Sequence, residues 1–177
     1  MLLSDKEWGE YFIGGEEGFF DISSSSSGID KNKLSNISDD DSNTLPYVTR
    51  TDIDNGINRF IHKKQNDKYK LDEGNVITIG LDTQTVFFQP HQFYTGQNVQ
   101  ILRHERLNKH NALFLIPLLK VQMEKFNWGG NGATLGRLFR TRIMLPVHNG
   151  EVDWVFMENY IKNIKEKKSK KYFKQQV

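Results

Sequence analysis

Cysteine is absent from the 177 residues, which removes a disulfide framework, a thiolate zinc site and a cysteine nucleophile together. Long apolar runs are absent too. The longest, Ala112 to Val121, is interrupted by Pro117 and Lys120 and is too short to cross a bilayer. Met1 to Glu10 carries acids and Trp8 where a leader would carry bases and then apolar residues, so nothing marks the chain for export and a cytoplasmic protein with no membrane partner is expected. A strong net charge is also missing: 24 Lys+Arg against 22 Asp+Glu leaves +2, so bulk charge does not make this a polyanion binder. No period of about 20 to 50 residues recurs, which excludes solenoids and propellers.

What charge there is falls in zones. Residues 1–45 hold 3 bases and 10 acids, residues 46–161 hold 14 and 11, and residues 162–177 hold 7 lysines and one acid, Glu166. The first zone has an apolar run at Phe19-Phe20, then Ser23–Ser27, Gly28 and Asp39-Asp40-Asp41. A stretch so poor in apolar residues buries little, so residues 23–45 are expected to form a long, mobile polar loop.

The folded body follows. Asn75–Ile79, Thr85–Phe88 and Asn98–Leu102 are β-branched or aromatic runs punctuated by Gly80 and Gly96, and Arg142–Pro146 reads as a closing strand. Leu107–Phe126 reads as a helix whose apolar positions Ala112, Leu115, Ile116, Leu119, Met123 and Phe126 form one stripe, with Asn108 or Asn111 as its cap. Pro117 falls either in an early turn or at a kink. Residues 153–177 form a Lys-rich helix with a stripe of Phe156, Tyr160, Ile161 and Ile164, extended by Tyr172 and Phe173. The expected fold is α+β: a twisted, mostly antiparallel sheet with a packed helix over residues 1–152, then a C-terminal helix over 153–177.

No self-sufficient catalytic constellation is present. His104-Glu105 and His110 are six apart, and at 3.6 residues per turn their rings diverge, so a zinc-protease helix and any other metal site are excluded. Gly129-Gly130-Asn131-Gly132 lacks the Gly-Lys-Ser/Thr ending of a phosphate loop and reads as a turn, with Trp128 filling space beside it. Glu166-Lys167-Lys168 lies in a Lys-rich helix where such fragments arise by composition.

Side chains that read base edges or hold phosphates are dense instead, in Tyr47–Thr51, Asn55–Phe60 and Phe88–Asn98. Arg pairs with guanine and Asn or Gln with adenine in the major groove, while Thr, Lys and Tyr set the register on phosphates. Pro46–Thr51 with Asn55-Gly56-Ile57, Gly74–Asp82, Phe93–Val99, Ala112–Leu115, Gly129–Arg137 and Ile143–Val147 together resemble, in order, the target-recognition domains of type I restriction–modification specificity subunits.

That resemblance implies a half-barrel-like curl of the sheet and a non-catalytic subunit that binds double-stranded DNA. The subunit has no cofactor of its own. It directs a partner methyltransferase, which brings S-adenosylmethionine and methylates adenine at N6, and a restriction subunit can join. Family members usually carry two recognition domains; this chain has one, so a split target requires two copies, and two-fold pairing produces a palindromic split site. Met1 and the Lys-rich end read as a complete small protein, with a fragment of a fused restriction–methylation enzyme as the alternative and a non-DNA interaction module behind it.

The expected DNA-facing residues are Lys31, Lys33, Thr49, Arg50, Thr51, Asn55, Asn58, Lys63, Lys64, Gln89, His91, Gln92 and Tyr94. Residues common to a family whose members read different sequences cannot dictate the sequence. Thr49, Thr51, Asn55 and Gly56 are therefore partly architectural or phosphate-directed, and base reading is assigned to Ser23–Lys33, His62–Lys70 and Gln89–Tyr94. The stripe Phe156, Tyr160, Ile161 and Ile164 is the candidate dimer or partner face; its alternative is to fold back onto its own domain.

Overall fold

Short β-branched and aromatic runs become strands once turns bound them. A computed structural model describes residues 2–35, 41–126 and 132–174. In chain order these hold β1 (Glu7–Phe12), β2 (Asp21–Ser24), β3 (Thr44–Val48), β4 (Ile57–His62), β5 (Val76–Gly80), β6 (Val86–Gln89), β7 (Tyr94–Thr95), β8 (Val99–Arg103), α1 (Lys109–Met123), α2 (Leu135–Phe139), β9 (Arg142–His148), β10 (Glu151–Val152) and α3 (Trp154–Lys174). The expectations for Trp128, Gly129, Gly130 and Asn131, and for the side chains of Tyr172 and Phe173, lie outside the described residues.

β5, β6 and β8 each begin one residue later than the sequence predicts. Asn75 and Asn98, expected to be extended, have φ of 58° and 62°, and Gln84, just before the Thr85–Phe88 run, has φ of 53°, so left-handed turns lead into all three strands. The fold is α+β and mostly antiparallel, but its strands divide among three sheets, ordered β1-β9-β10, β2-β8-β5-β6 and β4-β3-β7, rather than forming one curled sheet. The β3–β7 pairing is parallel.

The central sheet divides the core. On one face Ile77, Ile79, Val86 and Leu102 pack with Leu115, Leu119 and Met123 of α1, Ile143 and Leu145 of β9, and Trp154, Phe156 and Met157 of α3. On the other, Val76, Val99 and Ile101 meet Val48 of β3 and Phe93. β5 is buried along its whole length because it sits between the two.

Helix α1 starts in a capping box. The Asn108 side chain accepts from the backbone N–H groups of His110 and Asn111, and Asn111 returns a bond to the Asn108 N–H, so both candidate caps act together. Such a cap stabilises a helix by about 1 kcal/mol. Pro117 lies inside α1 on its exposed side, and the helix continues past it. Asp153 opens α3 by accepting from the Phe156 N–H at 2.8 Å and from Lys6 Nζ at 2.6 Å. Burial pushes its carboxyl up, but those two bonds and the Lys6 charge outweigh it and hold it below the usual range. The first turns of α3 thus belong to the main core, while Lys165 to Lys171 are exposed.

The serine run falls in the stretch expected to be a long polar loop, of which residues 36–40 lie outside the described residues. Polar partners replace apolar burial: Ser23 Oγ accepts from Arg103 at 2.8 Å, the Ser26 N–H and Oγ donate to Asp72, and Ser27 Oγ lies 3.0 Å from Thr95 Oγ1. Ile29 then closes the segment in a third cluster with Tyr47, Ile61 and Tyr94.

Candidate nucleic-acid interface

The loop between β3 and β4 is closed by the Thr49 N–H bonding the Gly56 carbonyl at 2.8 Å. Asp54, Asn55 and Gly56 all have positive φ, at 48°, 57° and 78°. Three left-handed residues in succession favour Asn and Gly, and this explains the Asn55-Gly56 pair. Past the loop the ladder slips: Tyr47 pairs with Arg59 and Val48 with Ile57, leaving Asn58 as the extra residue of a bulge. Bulges re-aim a side chain beside a site, and Asn58 is exposed.

Four of the expected residues meet there. Lys31, Thr49, Arg50 and Asn58 line one open cleft of about 370 Å³, together with Asp30, Asn32, Tyr47 and Gln97. Lys33 is exposed on the same short turn as Lys31, and Thr51 is half-buried in the loop, its N–H 3.4 Å from Thr49 Oγ1. Tyr47 forms the floor: its hydroxyl donates to the Ile29 carbonyl at 2.6 Å, and burial, then the Asp30 charge, push its pKa above the ordinary tyrosine value. It stays a protonated donor. Gly96 leaves the floor open, since a Cβ there would lie 3.1 Å from the Tyr47 hydroxyl.

Arg50 is paired with Asp82 across the rim, both side chains more than a third exposed. An ion pair that open contributes at most about 1 kcal/mol, so the guanidinium can exchange its carboxylate for a phosphate or a base edge at little cost.

The remaining expected residues separate. Lys63, Lys64 and His91 are exposed outside the cleft, and Gln92 is exposed but bonded at 2.9 Å to each oxygen of Glu73. Asn55 donates to the Phe88 carbonyl at 2.8 Å and so braces its own loop. Gln89 and Tyr94 are corrections. Gln89 is 2% exposed and donates to the Asn55 carbonyl and Thr78 Oγ1; Tyr94 is 5% exposed and donates to the Lys63 carbonyl. Their polar ends are consumed inside the fold, so neither presents a hydrogen-bonding edge to DNA. Asn32, inside the Ser23–Lys33 stretch assigned to base reading, and Gln97 were not named individually. Gln97 lies in a segment the sequence singles out, but only the turn after Gly96 brings it to the cleft.

The α3 stripe also splits. Phe156 is buried, edge-on to Phe114, which corrects its assignment to a partner face. Tyr160 and Ile161 pack half-buried against the core, and Ile164 faces a groove shared with Leu2 and Leu3. Among the described residues no cluster of His, Asp and Glu could hold a metal; His104 stacks on Phe19 and lies tilted against Trp154. No helix of the described residues is long and apolar enough to cross a membrane.

The family profile described as type I restriction modification DNA specificity domain matches residues 6–172. The type II restriction enzyme specificity subunit S.BcgI of Heyndrickxia coagulans is 32% identical over 137 residues, 76% of this chain and 39% of that protein. Two solved structures share the fold. The type I restriction–modification S subunit from M. genitalium has a TM-score of 0.57 at 16% identity, over 94% of this chain and 41% of that one. The HsdS subunit from Thermoanaerobacter tengcongensis has a TM-score of 0.59 at 15% identity, over 90% and 38%. The chain spans about two-fifths of the length of these relatives.

Proposed function

The chain belongs to the family of type I restriction modification DNA specificity domains, and from that premise we propose that it selects the DNA sequence on which a partner methyltransferase acts. The chain supplies base choice and no chemistry. The partner brings S-adenosylmethionine and modifies adenine, and a restriction subunit can use the same choice. The observation that carries this reading is the convergence of Lys31, Thr49, Arg50 and Asn58, from two separate segments, on one open polar cleft. That set has the composition of a base reader: an arginine for guanine, an asparagine for adenine, and a lysine and a threonine for phosphates.

One recognition domain covers one half-site, so two copies read a split target, as a homodimer or beside a second recognition domain. The groove at Ile164 shares no lining residue with the cleft, and it and the exposed lysines of α3 suit partner docking. The likeness to S.BcgI, the specificity subunit of a type II restriction enzyme, favours a second form of the same reading, in which the chain selects the site for a type II restriction enzyme.

Selection of bound duplexes from a random library tests the proposal. It predicts enrichment of one short motif by the chain with its methyltransferase. Recovery of unenriched sequence from both the complex and the chain alone overturns it.

A further inference from the structure

Asp72 is a carboxylate with no exposed side-chain surface. It lies away from the cleft, in a short bridge where Asp72 and Phe93 exchange backbone bonds of 3.0 and 3.1 Å. A charge buried so completely is tolerated only where it is hydrogen-bonded. Here it is. The Ser26 N–H bonds Oδ2 at 2.9 Å and Oδ1 at 3.1 Å, Ser26 Oγ donates to Oδ1 at 2.9 Å, and Arg103 Nη2 donates to Oδ1 at 3.2 Å. Arg103 uses Nη1 to hold Ser23 Oγ at 2.8 Å. Burial pushes the Asp72 carboxyl above its ordinary value, against the bonds from Ser26 and then the charge and bond of Arg103.

The bonds continue along the chain toward the cleft. Thr95 N–H donates to Ser27 Oγ at 2.7 Å, Gly28 N–H donates to Thr95 Oγ1 at 3.1 Å, and Ile29 N–H donates to the Thr95 carbonyl at 2.7 Å. The Ile29 carbonyl takes the Tyr47 hydroxyl, and Asp30 caps the turn that carries Lys31 and Lys33. A polar segment with one buried apolar side chain, Ile29, is therefore held by a ladder of polar contacts whose first rung is Asp72.

We infer that Asp72 is a positioning residue for target reading: through Ser26 and Arg103 it fixes the serine segment so that Lys31 and Asn32 form one wall of the cleft. This inference rests on the proposed function above, and it assigns to a buried carboxylate a role in discrimination that it cannot exercise by touching DNA. A fixed wall matters because side chains that must order on binding lose affinity for the correct site first. Asparagine at 72 keeps the volume and one acceptor but turns an NH₂ donor toward the Ser26 N–H or toward Arg103, breaking the first rung.

The test uses the full chain with its methyltransferase and duplexes carrying the motif selected by the wild type or a scrambled version. Asp72→Asn and Ser26→Ala are expected to weaken binding to the motif duplex about tenfold while changing the scrambled duplex less than about twofold, at a temperature well below the melting point of each. Lys31→Ala combined with Asp72→Asn is expected to cost less than the sum of the two, since both act through one wall. Asp72→Glu, which retains the charge, is expected to recover part of the loss.

Unchanged discrimination in Asp72→Asn, or strict additivity with Lys31→Ala, overturns the inference even where the melting temperature falls. Should Asp72→Asn fail to fold, Ser26→Ala decides the matter by the same two readouts. A wild type that prefers no duplex overturns the proposed function itself and the positioning role with it, a result distinct from discrimination that survives the variants.

Discussion

Gln89 donates its amide to the carbonyl of Asn55 at 2.9 Å, while Asn55 donates its own to the carbonyl of Phe88, the residue before Gln89. Two residues with base-reading chemistry thus spend their amides on backbone carbonyls between the same two segments, and the left-handed Asn55 braces the β3–β4 loop. Asn55→Ala is expected to destabilise the chain by about 2–3 kcal/mol, from the lost bond and the positive φ. Asn55→Gly, which relieves the φ, costs less. Thermal melts of the two variants check the order.

Arg50→Ala is expected to weaken DNA binding with a stability change below about 1 kcal/mol, because the Asp82 pair it breaks is exposed. Asp82→Asn is expected to act oppositely, raising affinity for any duplex by releasing Arg50 and removing a negative charge near the phosphates. Its salt dependence rises with it. Titrations at two salt concentrations separate the outcomes; a fall in melting temperature with untouched binding makes Arg50 structural.

The core strands were legible as β-branched runs, Val76, Ile77 and Ile79 among them, and α1 by the spacing of Leu115, Leu119 and Met123. β1 was not, since Glu7, Gly9 and Glu10 conceal the alternation, and only the pairing with β9 defines it. The contacts of the serine segment were not legible because they come from Asp72, Thr95 and Arg103, remote residues that composition does not connect to it. Arg50 and Asn58, named from residue type, both line the cleft. Gln89 and Tyr94 were misplaced for the same reason: chemistry that suits a base edge suits a backbone carbonyl equally well.

The two main helices are tied by Asn108, whose Nδ2 donates to Glu158 Oε2 at 3.0 Å while its Oδ1 caps α1. Asn108→Ala is expected to cost about 1–2 kcal/mol, a drop of roughly 3–6 °C in melting temperature, with the selected motif unchanged. A changed motif contradicts the separation of the cleft from the helical side.

His104 sets an acid limit. Burial between Phe19 and Trp154 depresses its pKa below the ordinary histidine value, with Arg106 adding to the depression and Glu105 opposing it. In the window between the depressed and the ordinary value the unfolded chain binds more protons, so stability is present above the ordinary value and is lost as pH falls through that window. Melting temperatures measured between about pH 7.5 and 5 are expected to fall, and His104→Phe is expected to flatten the curve.

Sequencing of modified bases across a genome, in cells holding the methyltransferase with this chain, without it, and with Arg50→Ala and Asn58→Ala combined, tests the central claim most directly. The account predicts near-complete adenine modification at one motif with the wild type, none without the chain, and sparse or relaxed modification with the double variant. The same motif modified equally in all three strains contradicts it.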